Sequence, residues 1–291
     1  MPSEISHRID LHRNLKEFYN TDAGYFAEAH EVNSELTPER ARLFSWIQPG
    51  TRVLDVGCGP GDNGRHLASR TNYVGCDLSS LALRMAHATL PSSHFALGES
   101  QSLPFASDSF DVVLSTYALE HLVFARQSLE EMWRVCRNGG LLLLISPAYD
   151  DPRQLPPSTS HWTAFQRGLL VARQTWRQLR RHFNPAHFDF TYISQPRVLN
   201  TAYQSDFDAV HLVSAREVSN FLRAKGGNVL FERKRVPRPV VEGGIRTRIF
   251  EHLRNFLLYF HLGEYLGLNL QIAVVKGKNV IPRQLHSSPS S

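Results

Sequence analysis

Short apolar runs and stretches of helical spacing alternate through the first half of the chain. Arg52–Val56 reads as a short β-branched strand ending in a cluster of glycines, Asp62–Arg70 as a helix, and Tyr73–Asp77 as a second strand. A helix from Ser79 or Ser80 to Thr89 follows, then a short third strand, His94–Leu97, and an apolar fourth, Phe110–Ser115. In Ala125–Cys136 the residues Leu129, Met132, Trp133 and Cys136 recur at helical spacing. Arg137-Asn138-Gly139-Gly140 ends that helix. Leu141–Ile145 is continuously apolar, as a strand buried on both faces requires. Strands separated by helices imply right-handed crossovers and a parallel, doubly wound α/β sheet.

The pattern breaks after Ser146, where Pro147, Pro152, Pro156 and Pro157 mark a linker. His161–Phe183 is a helix whose apolar stripe runs through Trp162, Phe165, Leu169, Ala172, Trp176, Leu179 and Phe183. The expectation is that this stripe faces the core. Its arginine flank makes an anionic membrane surface the alternative for it and for a second amphipathic helix, Ile245–Leu262. Residues 184–213 read as irregular. Ser214–Lys225 is a serine-capped helix, Asn228–Lys234 and Leu270–Val275 are strands, and Ser287–Ser291 is a disordered tail.

With 42% hydrophobic and 20% charged residues the chain is globular rather than disordered. Its longest dense apolar run, residues 256–262, is far short of the ~20 residues of a membrane span. The N-terminal MPSEISHRIDLHRNL has no signal-peptide apolar core, so a cytoplasmic protein is expected. Cys58, Cys76 and Cys136 are too far apart for a disulfide framework, a CxxC zinc site or a cysteine-held cluster. Charge is unevenly spread. Residues 1–150 hold 12 Lys and Arg against 18 Asp and Glu, and residues 151–291 hold 20 against 9. The second half therefore suits an anionic partner.

The chemistry concentrates in Val53-Leu54-Asp55-Val56-Gly57-Cys58-Gly59-Pro60-Gly61, where a strand passes into a helix. Glycines there let a backbone approach a ligand closely. Gly59, Gly61 and Gly64 satisfy the dinucleotide fingerprint GxGxxG. However, Asp55 before the loop and Asp62 at the helix start both disfavour a pyrophosphate and favour an ammonium group. Asp77, at the end of the second strand, suits hydrogen bonds to both hydroxyls of a ribose. A nucleoside cofactor carrying an amino acid in place of phosphates fits these residues best.

The ordered set DVGCGPG, GCDLS at 75–79, GESQSLPFASDSFDVVLSTYALEHL at 98–122 and WRVCRNGGLLLLISP at 133–147 resembles the class I S-adenosylmethionine-dependent methyltransferases of the small-molecule type, methyltransferase type 11-like. The resemblance covers residues 50–147. It implies a Rossmann-like, doubly wound seven-stranded sheet, mostly parallel with an antiparallel last strand, and helical inserts. S-adenosyl-L-methionine is the implied cofactor. Matched by motif, Asp55, Gly57, Gly59 and Gly61 hold the methionine end, Asp77 binds the ribose, and Leu78 packs near the adenine. Glu99 and Ser100 correspond to the pair that meets the adenine amine, although the family more often carries Asp where this chain has Glu99. Ser115 and Tyr117 would lie beside the sulfonium. The implied segmentation is a helical lid at 1–49, the cofactor-binding core at 50–147, and an acceptor-selecting insert at 148–213. The C-terminal part of the sheet spans 214–280 with a helical insert at 235–268, and a tail follows at 281–291.

The implied reaction is transfer of a methyl group to a small-molecule or glycan acceptor, expected at oxygen, and the acceptor is expected to be phosphorylated or lipid-linked. The alternatives are an RNA or protein methyltransferase and a cofactor-binding module without turnover. A hydroxyl acceptor needs a base, and His121, just past the fourth strand, is the candidate catalytic residue. The competing reading is that Glu120 and His121 only begin the next helix. Tyr117, Tyr149 and His161 are further candidates. Ser115-Thr116-Tyr117-Ala118 replaces the Asn/Asp-Pro-Pro-aromatic signature of nucleic-acid amine methylation, so nucleic acid is not the expected partner. The Glu120–His121 pair alone predicts no metal site. Tyr19, Tyr25 and Phe26 resemble an aromatic N-terminal lid.

Overall fold

The alternation of strands and helices is realised as a seven-stranded sheet in a computed structural model, described here for residues 4–147, 149, 155–183, 191–193, 207–232 and 269–277. Three helices precede the sheet: α1 (Glu4–Thr21), α2 (Ala23–Asn33) and α3 (Pro38–Phe44). The core then runs β1 (Arg52–Val56), α4 (Asp62–Leu67), β2 (Asn72–Asp77), α5 (Ser80–Thr89), β3 (His94–Leu97), β4 (Phe110–Thr116), α6 (Ala125–Val135) and β5 (Cys136–Pro147). Next come α7 (Ala164–Phe183), the two-residue strands β6 (Thr191–Tyr192) and β7 (His211–Leu212), α8 (Ala215–Ala224), β8 (Gly227–Glu232) and β9 (Asn269–Lys276).

The strand order is β3-β2-β1-β4-β5-β9-β8. The first five strands are mutually parallel and β9 pairs antiparallel with both β5 and β8, so β9 alone runs against the rest. This is the expected Rossmann-like sheet with an antiparallel last strand. Because successive side chains of a strand point to opposite faces, each central strand serves two cores. Leu54, Val113, Leu142, Leu144 and Val274 pack under α6 and α8. Val53, Val112, Leu114, Leu143 and Ala273 pack against Leu43 and Phe44 of α3 and Leu67 of α4. The order reverses between β1 and β4, and this is where a doubly wound sheet opens a crevice beyond its strand ends.

Several expectations need correction. The apolar stripe faces away from the core where it is described within α7; Trp162 ahead of the helix is partly buried, and the side chains of Leu179 and Phe183 lie outside the described residues. Phe165, Leu169, Ala172 and Trp176 are exposed, and the helix rests instead on Leu170 and Gln174. It also starts at Ala164 rather than His161, because Thr163 and Gln166 form a reciprocal cap, Thr163 N–H donating to Gln166 Oε1 at 2.8 Å and Gln166 N–H donating to Thr163 Oγ1 at 3.3 Å. Within the stretch read as irregular, β6 and β7 pair antiparallel. The predicted helix Ile245–Leu262, the insert 235–268 and the tail 281–291 lie outside the described residues. Among the described residues no helix is long and apolar enough to cross a membrane.

Leu144 is fully buried between β4 and β9. Leu144→Ala should lower unfolding stability by roughly 2–5 kcal/mol, read by urea denaturation. A loss below the range of surface substitutions would mean that the centre of the sheet is less tightly packed than described.

Candidate functional site

The glycine loop leaves β1 at the order reversal and is pinned from below. Gly57 has φ +74°, and a Cβ there would stand 2.7 Å from Ala118 Cβ. Any side chain would therefore push the loop away from the turn that follows β4. Gly59 has φ +53° and open space above it, and its N–H donates to Asp77 Oδ2 at 2.9 Å. The other oxygen of Asp77 accepts from Ser79 N–H at 2.8 Å, at the start of α5. One carboxylate at the end of β2 thus ties the loop to the next helix. Burial pushes the Asp77 carboxyl above its ordinary pKa, against the opposing effect of these N–H donors.

Asp55 is fully buried, and its carboxylate is used inside the protein. It accepts from Tyr73 Oη at 2.7 Å and from Asn63 Nδ2 at 3.1 and 3.3 Å. Asn63 Nδ2 also lies 2.8 Å from Thr116 Oγ1, while its buried Oδ1 has no hydrogen-bond partner. Desolvation pushes the Asp55 pKa up to about 6 even though Tyr73 and Asn63 oppose it. Asp55 therefore braces the loop from beneath, with Asn63 as the outermost member of its network.

On the β4 side, Ser115 is buried and donates to the Val56 carbonyl at 2.9 Å. Tyr117 is held at φ +53°, a left-handed conformation that a non-glycine residue rarely takes and that costs about 1–3 kcal/mol. Its N–H is fixed to the Ile145 carbonyl at 2.8 Å, and the Arg40 guanidinium lies 5.5 Å from its ring centre. Such strain at the ligand edge of a sheet is characteristic of a working turn.

A small cleft opens here, lined by Leu78, Glu99, Ser100 and His121 together with His12, Leu15, Lys16, Tyr19 and Gln101. Four sequence-predicted site residues therefore meet in one cleft. The other predicted site residues, Asp55, Gly57, Gly59, Gly61, Asp77, Ser115 and Tyr117, support the loops around it rather than lining it. Tyr149 and His161 do not line it either. Glu99 is engaged by α1, with Lys16 Nζ 2.6 Å from Oε1 and His12 Nε2 3.3 Å from Oε2. The Lys16 ammonium holds the Glu99 carboxyl below its ordinary pKa.

Beyond His121 stands a group with no sequence signal. Asp208 is buried, with Oδ1 3.3 Å from His121 Nδ1. Its Oδ2 accepts from the hydroxyls of Tyr19 and of Tyr25, the latter at 3.1 Å. Glu120 Oε1 lies 3.5 Å from His121 Nε2, and the Glu120 carbonyl accepts from Val210 and His211 N–H. The N-terminal helices, the turn after β4 and the segment before β7 thus meet at one histidine. The thiols do not join them. Burial pushes Cys76 and Cys136 up to about 12 and Cys58 well above its ordinary value, which suits structural rather than nucleophilic cysteines.

The model of the methyltransferase domain family matches residues 54–144, the span from β1 to β5. That core is a class I methyltransferase domain of the S-adenosylmethionine-dependent kind. Demethylmenaquinone methyltransferase of Paenarthrobacter aurescens (strain TC1) is 34% identical over 34% of this chain and 39% of its own length. Malonyl-[acyl-carrier protein] O-methyltransferase of Erwinia billingiae (strain Eb661) is 31% identical over 43% of this chain and 51% of its own. The chain thus spans about half or less of each of these relatives. A SAM-dependent methyltransferase structure from Methanosarcina mazei aligns with 84% of this chain and all of its own at TM-score 0.51 and 18% identity, a likeness of fold alone.

The Asp55 network makes a stability prediction. A carboxyl whose pKa is raised on folding keeps its proton more tightly in the native state. Its contribution is therefore most favourable at low pH and is lost as pH rises from about 4 towards about 6. The shift corresponds to an effect of about 3 kcal/mol. Urea denaturation at pH 4 to 7 should show the wild type losing stability relative to Asp55→Asn across that window. A constant difference would remove the buried carboxylate from the account.

Proposed function

We propose that the protein transfers a methyl group from S-adenosylmethionine to an oxygen of a small-molecule acceptor. The observation that carries this reading is that Leu78, Glu99 and Ser100, the residues expected at the adenosyl end, line one cleft together with His121, which Asp208 backs. The residues present suit the cofactor. Gly59 leaves room for close approach, Asn63 Oδ1 is a buried acceptor in need of a donor, and Asp77 and Glu99 are acceptors for ribose hydroxyls and an adenine amine. When bound, the cofactor supplies an electrophilic methyl group.

The rest is the work of this chain. Gly57, Gly59 and Gly61 bring the backbone to the methionine end, with Asp55 bracing them, and Leu78 and Ser100 flank the adenine end. Ser115 and Tyr117 fix the turn next to the reacting centre. Asp208 beside Nδ1 and Glu120 beside Nε2 both favour the imidazolium, so His121 can take the proton that the acceptor hydroxyl gives up. The two carboxylates then face a ring that has gained charge. Residues 1–49 act as the lid and residues 148–213 as the acceptor-selecting insert, a division supported by Tyr19, Tyr25 and Asp208 meeting at His121. The names of the two relatives, one acting on demethylmenaquinone and one on a malonyl carrier protein, support a small-molecule acceptor.

The test is release of S-adenosylhomocysteine with a panel of hydroxyl and carboxyl acceptors, beginning with phosphorylated and lipid-linked ones. His121→Ala should lower kcat by about a hundredfold, and Asp208→Asn by about tenfold, with cofactor affinity little changed. Full activity of His121→Ala across pH would remove the base. No acceptor-dependent turnover across the panel would overturn the reading.

A further inference from the structure

Both nitrogens of the His121 ring face carboxylates. Asp208 Oδ1 stands 3.3 Å from Nδ1 and Glu120 Oε1 3.5 Å from Nε2, and the side chains of Asp208, Glu120 and His121 are 5%, 0% and 15% exposed. Two buried carboxylates draw an imidazole to its charged form, because charge pairs strengthen where water is excluded. The same pull that helps His121 take a proton would, unchecked, leave the ring already charged and without a lone pair to offer. A base at this position needs its acids moderated.

Each acid has a donor on its other oxygen. Glu120 Oε2 accepts from Ser146 Oγ of β5 at 2.8 Å. Asp208 Oδ2 accepts from two hydroxyls, that of Tyr19 and, at 3.1 Å, that of Tyr25. These arrive from different helices. Asp22 caps α2 by accepting from Tyr25 N–H at 3.0 Å, so the chain turns between the end of α1 and the start of α2. That turn brings the two rings to 5.4 Å at 53° and both hydroxyls to one oxygen. Burial and the neighbouring Asp208 hold the Tyr19 phenol well above its ordinary pKa, so it stays a neutral donor. The adjoining His211 of β7 adds no charge, because burial pushes its imidazole down to about 3. His12, Lys16 and Glu99 share the cleft with His121 but pair with one another.

We propose that Tyr19 and Tyr25 are positioning residues of the His121 base: by donating to Oδ2 they fix the Asp208 carboxylate and draw its charge away from the ring, which leaves the imidazole able to take a proton. This rests on the reading of His121 as the base. A hydrogen bond to a carboxylate stabilises the anion where it stands, and two bonds on one oxygen weaken the hold of the group on a cation at the other. Tyr19 lines the cleft and Tyr25 does not, so Tyr25 acts on the reaction through Asp208. The base is complete only with α1 and α2 both seated on that carboxylate.

The test follows the His121 ring by long-range proton–nitrogen correlation NMR through a pH titration of the full chain, its signals assigned by their loss in His121→Ala. Removing hydroxyls should move the His121 midpoint upward, by a few tenths of a pH unit in Tyr25→Phe and by about one pH unit in Tyr19→Phe/Tyr25→Phe. In an Asp208→Asn background Tyr25→Phe should leave the midpoint where it is, since a hydroxyl that acts through Asp208 has nothing left to tune. Phenylalanine keeps the ring packing, and Tyr25→Phe alone serves if the double variant does not fold. The pH of half-maximal turnover should move in the same direction, read with the hydroxyl acceptor of the panel that the wild type turns over fastest. A midpoint unmoved or lowered in the tyrosine variants overturns the proposal, as does a shift that persists in Asp208→Asn. Full turnover of His121→Ala across pH overturns the base and the proposal with it. Lost turnover in His121→Ala beside an unmoved midpoint in the tyrosine variants overturns the proposal and leaves the base standing.

Discussion

A carboxylate without solvent must be satisfied where it stands, and Asp55 is satisfied by residues of other elements. Tyr73 reaches it from β2 and Asn63 from α4, and Asn63 extends the network to Thr116 at the end of β4. The network sits at the reversal of strand order, where the sheet has to open for a ligand. It fixes the relation between β1, β2, β4 and the helix after the glycine loop. Asp77 repeats the device one strand over, tying the loop to α5 through Gly59 and Ser79. A buried acid and a half-buried one, neither lining the cleft, set the geometry of the loops around it.

The cover of the cleft is built on different terms. The N-terminal helices are joined to the core by packing of Leu15, Tyr19 and Phe26 with Ala82 of α5 and Val123, and by polar contacts at their ends. Ser79 Oγ donates to the Tyr19 carbonyl, and Asn20 Oδ1 accepts from Ser80. Lys16 and His12 meanwhile hold Glu99, the acid expected to meet an adenine amine. A half-exposed ion pair of this kind is worth little in stability and is readily exchanged. The N-terminal helices are therefore fixed firmly at α5 and at Asp208 and lightly at Glu99, an arrangement that lets a ligand compete with Lys16 for Glu99 without unfolding α1.

The central sheet was legible because its signals are local. Leu141–Ile145 is continuously apolar, the glycines follow an acid at a strand end, and Asn228–Lys234 and Leu270–Val275 stand apart as strands, found at Gly227–Glu232 and Asn269–Lys276. Leu78, Glu99, Ser100 and His121 could be picked out by motif, and they share a cleft. Asp208 could not, because it lies in a stretch without periodicity and its partners are more than 80 residues away in sequence. The facing of α7 was misread for a related reason. An apolar stripe states that a helix has something to bury and does not state against what. The cap that starts α7 is present in the sequence as Thr163 and Gln166, three residues apart, and counting Trp162 into the apolar stripe places the start too early.

The claim on which the rest stands is that the loop, Asp77 and Glu99 surround an adenosyl-amino-acid site and not a dinucleotide site. Calorimetric titration of the purified chain with S-adenosylhomocysteine, S-adenosylmethionine and NAD tests it directly. The account predicts saturable binding of the two adenosyl-sulfur ligands, weakened by Asp77→Ala, and no binding of NAD. Binding of NAD alone would contradict it and make Gly59, Gly61 and Gly64 the true fingerprint.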